Sequence, residues 1–190
     1  CQCATTQRNQ LRTRLTAWIG GLDIDALLAR SETALAHEFM VRQAQQESRH
    51  LMSPAEEDLA AELQNSSGSA WARLHGNVSS QLLVTVALNG TTRALTMSEV
   101  RNLAYDPDRT TRKTAYDAEL AAWQANAVPL AAALNSIKGQ VNVLAQRRGW
   151  ESPLDAALFG NNIDRTTLDA MLMAARESFP DFRRYLRAKA

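Results

Sequence analysis

Residues 106–148, DPDRTTRKTAYDAELAAWQANAVPLAAALNSIKGQVNVLAQRR, decide the fold. Within them Tyr116, Leu120, Trp123, Ala127, Leu130, Leu134, Ile137, Val141 and Leu144 recur at alternating steps of four and three. Strands alternate with period two, so this spacing marks one apolar stripe on a helix, held for about eight turns. A continuous element would run roughly 60 Å at about 1.5 Å per residue and act as a spine. Pro129 falls inside without disturbing the register, which predicts a kink rather than a break. A heptad seam of this kind is the signature of core packing, not of chemistry.

Outward from the spine the same helical reading holds. Leu11, Leu15, Trp18 and Ile19 predict a helix stopping at Gly20-Gly21, and Ile24, Leu27 and Leu28 predict a brief turn. Ser31 or Thr33 can cap a longer helix whose polar end, Gln43 to His50, is expected to be solvated. Ser53-Pro54-Ala55-Glu56 and Thr96-Met97-Ser98-Glu99 are capping boxes, in which side-chain oxygens satisfy the orphan N–H groups of a helix start. A further helix is expected from about Ser69. Val84, Val86 and Leu88 alternate before Asn89-Gly90, a turn pair that tolerates positive φ, so residues 82–95 predict a β-hairpin. Asp106-Pro107-Asp108 starts the spine, and Arg147-Arg148-Gly149 ends it with cations at the negative dipole end and a glycine cap. Ser152-Pro153, Asp164 and Phe179-Pro180-Asp181 each predict the start of one more helix. The fold class is all-α: a multi-helix array around one long kinked helix, with a single small hairpin. The expected division is 1–95, ending in the hairpin, and 96–190, the long-helix segment, packed together as one lobe.

In 190 residues, Lys plus Arg number 21 and Asp plus Glu 20, a net charge of +1 that argues against nucleic acid or an anionic membrane as partner. The longest apolar run, residues 127–134, is too short to span a bilayer, and no signal-peptide layout is present, so a cytoplasmic location is expected. The cysteines are Cys1 and Cys3, which excludes a disulfide scaffold and leaves only an adventitious chelate at Cys1-Gln2-Cys3. A start at Cys1 and an end in mid-pattern at Lys189-Ala190 lead us to expect a piece of something longer; a mature lipoprotein would also begin with Cys.

The residues that could carry chemistry form no catalytic set. His37-Glu38 has the opening of the helical zinc motif His-Glu-x-x-His, but Val41 stands where the second His must be. His50 and His75 read as surface residues. The carboxylate pairs Glu56-Glu57 and Asp106/Asp108 lie in helix first turns, where capping and the dipole account for them. The basic cluster Arg183-Arg184-Arg187-Lys189 lacks the aromatic interleaving of a nucleic-acid surface. Read without relatives, these residues describe a helical scaffold or interaction module.

Tyr105-Asp106-Pro107-Asp108-Arg109, Arg112-Lys113-Thr114-Ala115-Tyr116 and Leu134-Asn135-Ser136-Ile137-Lys138-Gly139 resemble the M3 family of zinc metallopeptidases, in its oligoendopeptidase F branch. Arg147 to Leu154, Asn161-Asn162-Ile163-Asp164, Arg184 to Ala190, Leu51 to Glu57 and Ser69-Ala70-Trp71 continue the pattern; the first fifty residues fit loosely. The resemblance implies a helical, two-lobed peptidase with zinc at the bottom of a channel that admits short unstructured peptides. This sequence departs from the family in lacking the whole zinc-bearing region. The resemblance therefore implies an N-terminal, channel-wall portion that is inactive alone, carries no catalytic or metal residue, and exposes apolar surface where a catalytic lobe docks or copies self-associate. The competing expectation is a non-catalytic helical module sharing the fold.

Overall fold

A computed structural model describes residues 2–88 and 90–189. In chain order the helices are α1 (Gln2–Gly20), α2 (Ile24–Arg30), α3 (Glu32–Ala36), α4 (Glu38–Ser48), α5 (Pro54–Leu63) and α6 (Gly68–Gln81). The strands β1 (Leu83–Leu88) and β2 (Thr91–Thr96) follow, then α7 (Met97–Asn102), a 3-10 turn (Leu103–Tyr105), α8 (Arg109–Ala125), α9 (Ala127–Arg147), α10 (Pro153–Gly160) and α11 (Arg165–Lys189). The fold is all-α with one hairpin, as the patterning predicts. The chain divides into two compact units, one ending at Val141 and the other starting at Asn142.

The first unit has two apolar cores. In one, Ile24, Leu28 and Val41 are buried, with Ile19, Leu22, Leu27 and Ala34 around them. Arg42 ties the elements together, donating to Glu38 at 2.7 Å and to Asp25 at 2.8 Å. The single helix expected from Ser31 onward is divided at His37: Ser31 caps the short α3, and His37, at φ −116°, breaks the run before α4. Gln43 to His50 is not solvated as expected. Most of it is half-buried, and α4 packs on α1. The polar groups there are accommodated as pairs, such as Arg12 with Glu47 at 3.4 Å. Gly20 lies so close to Ser48 that a Cβ has no room, which accounts for a glycine inside α1.

The other core lies under the hairpin. β1 and β2 pair antiparallel in the register Leu83↔Thr96 to Leu88↔Thr91. Asn89 of the predicted turn pair lies outside the described residues; Gly90 has φ +76°, as such a turn requires. Strand alternation sends Val84 and Val86 inward to complete burial, beside Met97, Val100 and Ala115. Thr96 ends β2 and caps α7 at once, through the predicted capping box with Glu99. At the next junction Asp108 accepts from the backbone N–H of Thr111 at 2.9 Å and of Thr110 at 3.2 Å.

The spine departs from expectation in two ways. The kink is a break: Asn126 alone separates α8 from α9. Pro129 explains its place, because the ring has no N–H and collides with the carbonyl four residues back, at Ala125. Asn126 covers the loose end by donating its side-chain N–H to Ala122 O at 2.9 Å. The stripe, moreover, is not the buried seam. Trp123, Leu130, Ile137 and Leu144, one heptad position, are half-buried. Leu120, Leu134 and Val141, from the other, stay 44–49 % exposed, and Tyr116, which shares the first position, is 60 % exposed. The buried residues of α8 and α9 are Ala115, Ala133 and Ala145, small side chains that let neighbouring elements approach closely.

In the second unit, Gly149 (φ +69°) ends α9, with Trp150 N donating to Ala145 O at 3.0 Å. Trp150 then packs on Phe159, ring centroids 5.3 Å apart, beside buried Leu158. The two helices expected after Asp164 are one: α11 runs on through Pro180. The proline and its surroundings are exposed, so the carbonyl it fails to serve can turn to water.

Val86→Ala is expected to cost about 1–3 kcal/mol in denaturant unfolding, as a cavity in a fully buried site. Leu134→Ala should cost less than about 1 kcal/mol. A larger loss at Leu134 than at Val86 would restore the stripe as the structural seam.

Candidate functional site

The residues singled out for chemistry are scattered. His37 is exposed at the α3–α4 break, and Glu38 is engaged by Arg42. Val41, in the place of a second His, is a buried member of the α2–α4 core. These three residues do not fit a zinc ion: one imidazole faces solvent, the carboxylate is paired, and the third position is apolar. Among the described residues no three His, Cys, Asp or Glu side chains converge as a metal site. The Cys1-Gln2-Cys3 chelate falls outside the described side chains. His50 and His75 are half-buried, partly exposed at the surface. Glu57 is buried beneath the α5 capping box and accepts from Met52 N at 3.2 Å. Arg183, Arg184, Arg187 and Lys189 are exposed along α11, with Arg184 held by Asp181 at 3.2 Å.

The richest polar geometry lies instead where the hairpin meets the start of α8. Arg112 donates to the carbonyls of Asp106 and Pro107, at 2.7 and 2.9 Å, and so fixes the bend before α8. Arg101 reaches from α7 to Glu119 at 2.9 Å, and Trp123 Nε1 donates to the same carboxylate oxygen at 3.1 Å. The Arg101 guanidinium holds the Glu119 carboxyl below its ordinary range. At the helix starts the cause is different: the N–H and hydroxyl of Thr96 lower Glu99, and those of Thr111 lower Asp108. Between hairpin and bend lies a cleft of about 500 Å³, lined by Leu88, Thr91, Arg93, Leu103, Asp106 and Thr111. Only Asp106 of these was marked by the sequence, as a helix-start carboxylate. Arg93 carried no signal, because a single Arg in a strand pattern does not reveal which side of the sheet is covered.

The peptidase M3 N-terminal family model, described as Oligopeptidase F, matches residues 20–82, which hold α2 to α6. No curated protein matches the sequence. Among solved structures, oligoendopeptidase-F from Enterococcus faecium aligns at a TM-score of 0.82 and 18 % identity, covering 96 % of this chain and 37 % of that one. A putative peptidase from Chlamydophila abortus aligns at 0.74 and 21 % identity, covering 90 % of this chain and 30 % of that one. The chain thus spans about a third of the length of the structures it matches. The resemblance read from the motifs is borne out: the chain is similar to the N-terminal lobe of an M3-type peptidase. The family match also reaches upstream of His50, into the part where the motifs fit loosely.

The Asp108 cap makes a pH-dependent contribution whose sign follows from its lowered pKa. Stability from the cap is complete above the ordinary value of 3.8 and is lost as pH falls below it through the folded-state pKa. Asp108→Ala should therefore unfold at lower denaturant than the parent at neutral pH, with the gap shrinking toward about pH 3. A gap of constant size across that range would show that the carboxylate does not titrate as a cap.

Proposed function

We propose that this chain is the N-terminal, channel-wall portion of an oligoendopeptidase F-like zinc metalloendopeptidase that hydrolyses short peptides. The alignment of nearly the whole chain with the Enterococcus faecium oligoendopeptidase-F fold is the observation that carries the reading. The family match to residues 20–82 supports it independently. On this reading zinc and the hydrolytic residues belong to the remainder of the parent polypeptide, because His37, Glu38 and Val41 cannot form a ligand set. The chain itself shapes the channel and is inactive alone. On the same reading the parent works in the cytoplasm. No helix among the described residues is long and apolar enough to cross a membrane.

The exposed line of Leu120, Leu134 and Val141 is the surface we assign to the catalytic lobe, or to a second copy when that lobe is missing.

Two measurements test the proposal. The purified chain should hold far less than one zinc ion per molecule and leave a quenched fluorogenic peptide intact, whereas the parent polypeptide should cleave it and lose that activity to a chelator. About one zinc per chain, removed by His37→Ala, would overturn the assignment. The chain should also bind a hydrophobic dye and grow in apparent mass with concentration, both reduced in Leu134→Lys/Val141→Lys. A monomeric, dye-silent chain would remove the docking surface.

A further inference from the structure

The hairpin has a bare edge. In the observed register Leu88 faces Thr91 across a two-residue connection, so the pairs 88/91, 86/93 and 84/95 exchange hydrogen bonds. Thr92 and Ala94 then turn their N–H and C=O groups away from β1, and among the described residues no hydrogen bond reaches them. The two strands are not covered alike. β1 lies on α8, while the main neighbours of β2 are β1 and α7.

The cleft takes Thr91 and Arg93 of the same strand into its lining. Leu88, Thr91 and Arg93 share the inner face with Val84 and Val86, since paired residues of an antiparallel ladder project to one side. The valines are sealed, but Arg93 is exposed and enters none of the ion pairs found among the described residues. The acid nearest in sequence, Glu99, takes its hydrogen bonds from the N–H and hydroxyl of Thr96, at 2.7 and 2.8 Å, and feels Arg93 only through its charge. Leu88 and Leu103 supply the apolar part of the lining. A row of unpaired backbone groups calls for another extended backbone, an exposed guanidinium outside any ion pair can take a carboxylate, and apolar lining calls for an apolar side chain.

We infer that the outer edge of β2 and the adjoining cleft form a docking site for an extended peptide, which adds as a third strand. Its carboxylate meets Arg93, and the apolar side chain two positions away enters between Leu88 and Leu103. Spacing by two is required because alternate residues of the added strand share the inner face. The site deepens the peptidase reading and rests on it for its biological meaning.

The test uses a capped heptapeptide alternating threonine with valine, with glutamate in place of the central residue. A companion peptide ends in a free carboxylate at that position, to separate a side-chain from a C-terminal source. Amide NMR of the chain should show saturable shifts and slowed exchange at Thr92 and Ala94. Arg93→Met keeps the stem and should weaken binding about threefold to fivefold. Lysine in place of the central glutamate should do the same. N-methylation of the peptide amides facing β2 should abolish binding. Binding that ignores both Arg93→Met and N-methylation would overturn the inference. So would an edge already protected by a second copy in a concentration-dependent way, or no binding at millimolar peptide. A parent polypeptide that hydrolyses peptides while this edge stays silent removes the site alone. Binding here with no hydrolysis by the parent removes the peptidase reading alone.

Discussion

The burial of Val84 and Val86 under α7 and α8 is the constraint on which the hairpin and the start of the spine depend. An isolated two-stranded hairpin is marginal in water. Fully burying a valine contributes roughly 1.5–3 kcal/mol, and here two are buried on one strand. That burial requires a close helix, and Ala115 supplies the small face that allows it. The rest follows through the chain's connections. β2 ends on the residue that caps α7, and the bend after α7 is held by Arg112 on two carbonyls. Asp108 then starts α8 at the orientation the hairpin needs.

Local rules carried much of this. Both capping boxes, the hairpin, the glycine ending α9 and the Asp108 start were legible because each depends on a few consecutive residues. What failed depended on partners far away in sequence. Gln43 to His50 looked solvated because a polar face gives no sign that α1 will lie on it, whereas Gly20 against Ser48 is visible only in three dimensions. The stripe was read correctly as helical and incorrectly as the seam. Large apolar residues mark a face that can be covered; they do not say what covers it. The alanines that are buried carry too little hydrophobicity to stand out beside Leu and Tyr. Pro180 misled in the opposite direction, because an exposed helix tolerates a missing donor that a buried one would not.

The candidate site was less legible than the fold. The zinc-like pair His37-Glu38 was visible as a motif, and its failure was visible too, in Val41. The structure adds why Val41 is apolar: it completes the core with Ile24 and Leu28. The edge of β2 left no mark, because unpaired backbone groups have no residue type. Arg93 becomes informative only once the register puts it on the inner face and the cleft leaves it uncovered.

The pattern of burial bears on what this chain can do by itself. Its largest fully buried side chains are three valines, while Leu, Phe, Tyr and Met side chains lie exposed along α8, α9 and α11. Apolar burial within the chain is therefore confined to small cores of Val, Ile, Leu, Met and Ala, and much of its capacity for burial remains unspent. A further surface laid on Leu120, Leu134 and Val141 would gain roughly 25 cal/mol for each Å² of apolar area it removes from water. It would gain this without disturbing the alanine faces that already pack inward. The spine thus divides its apolar residues between two heptad positions: one, Tyr116 apart, is half-buried within the chain, and the other stays exposed.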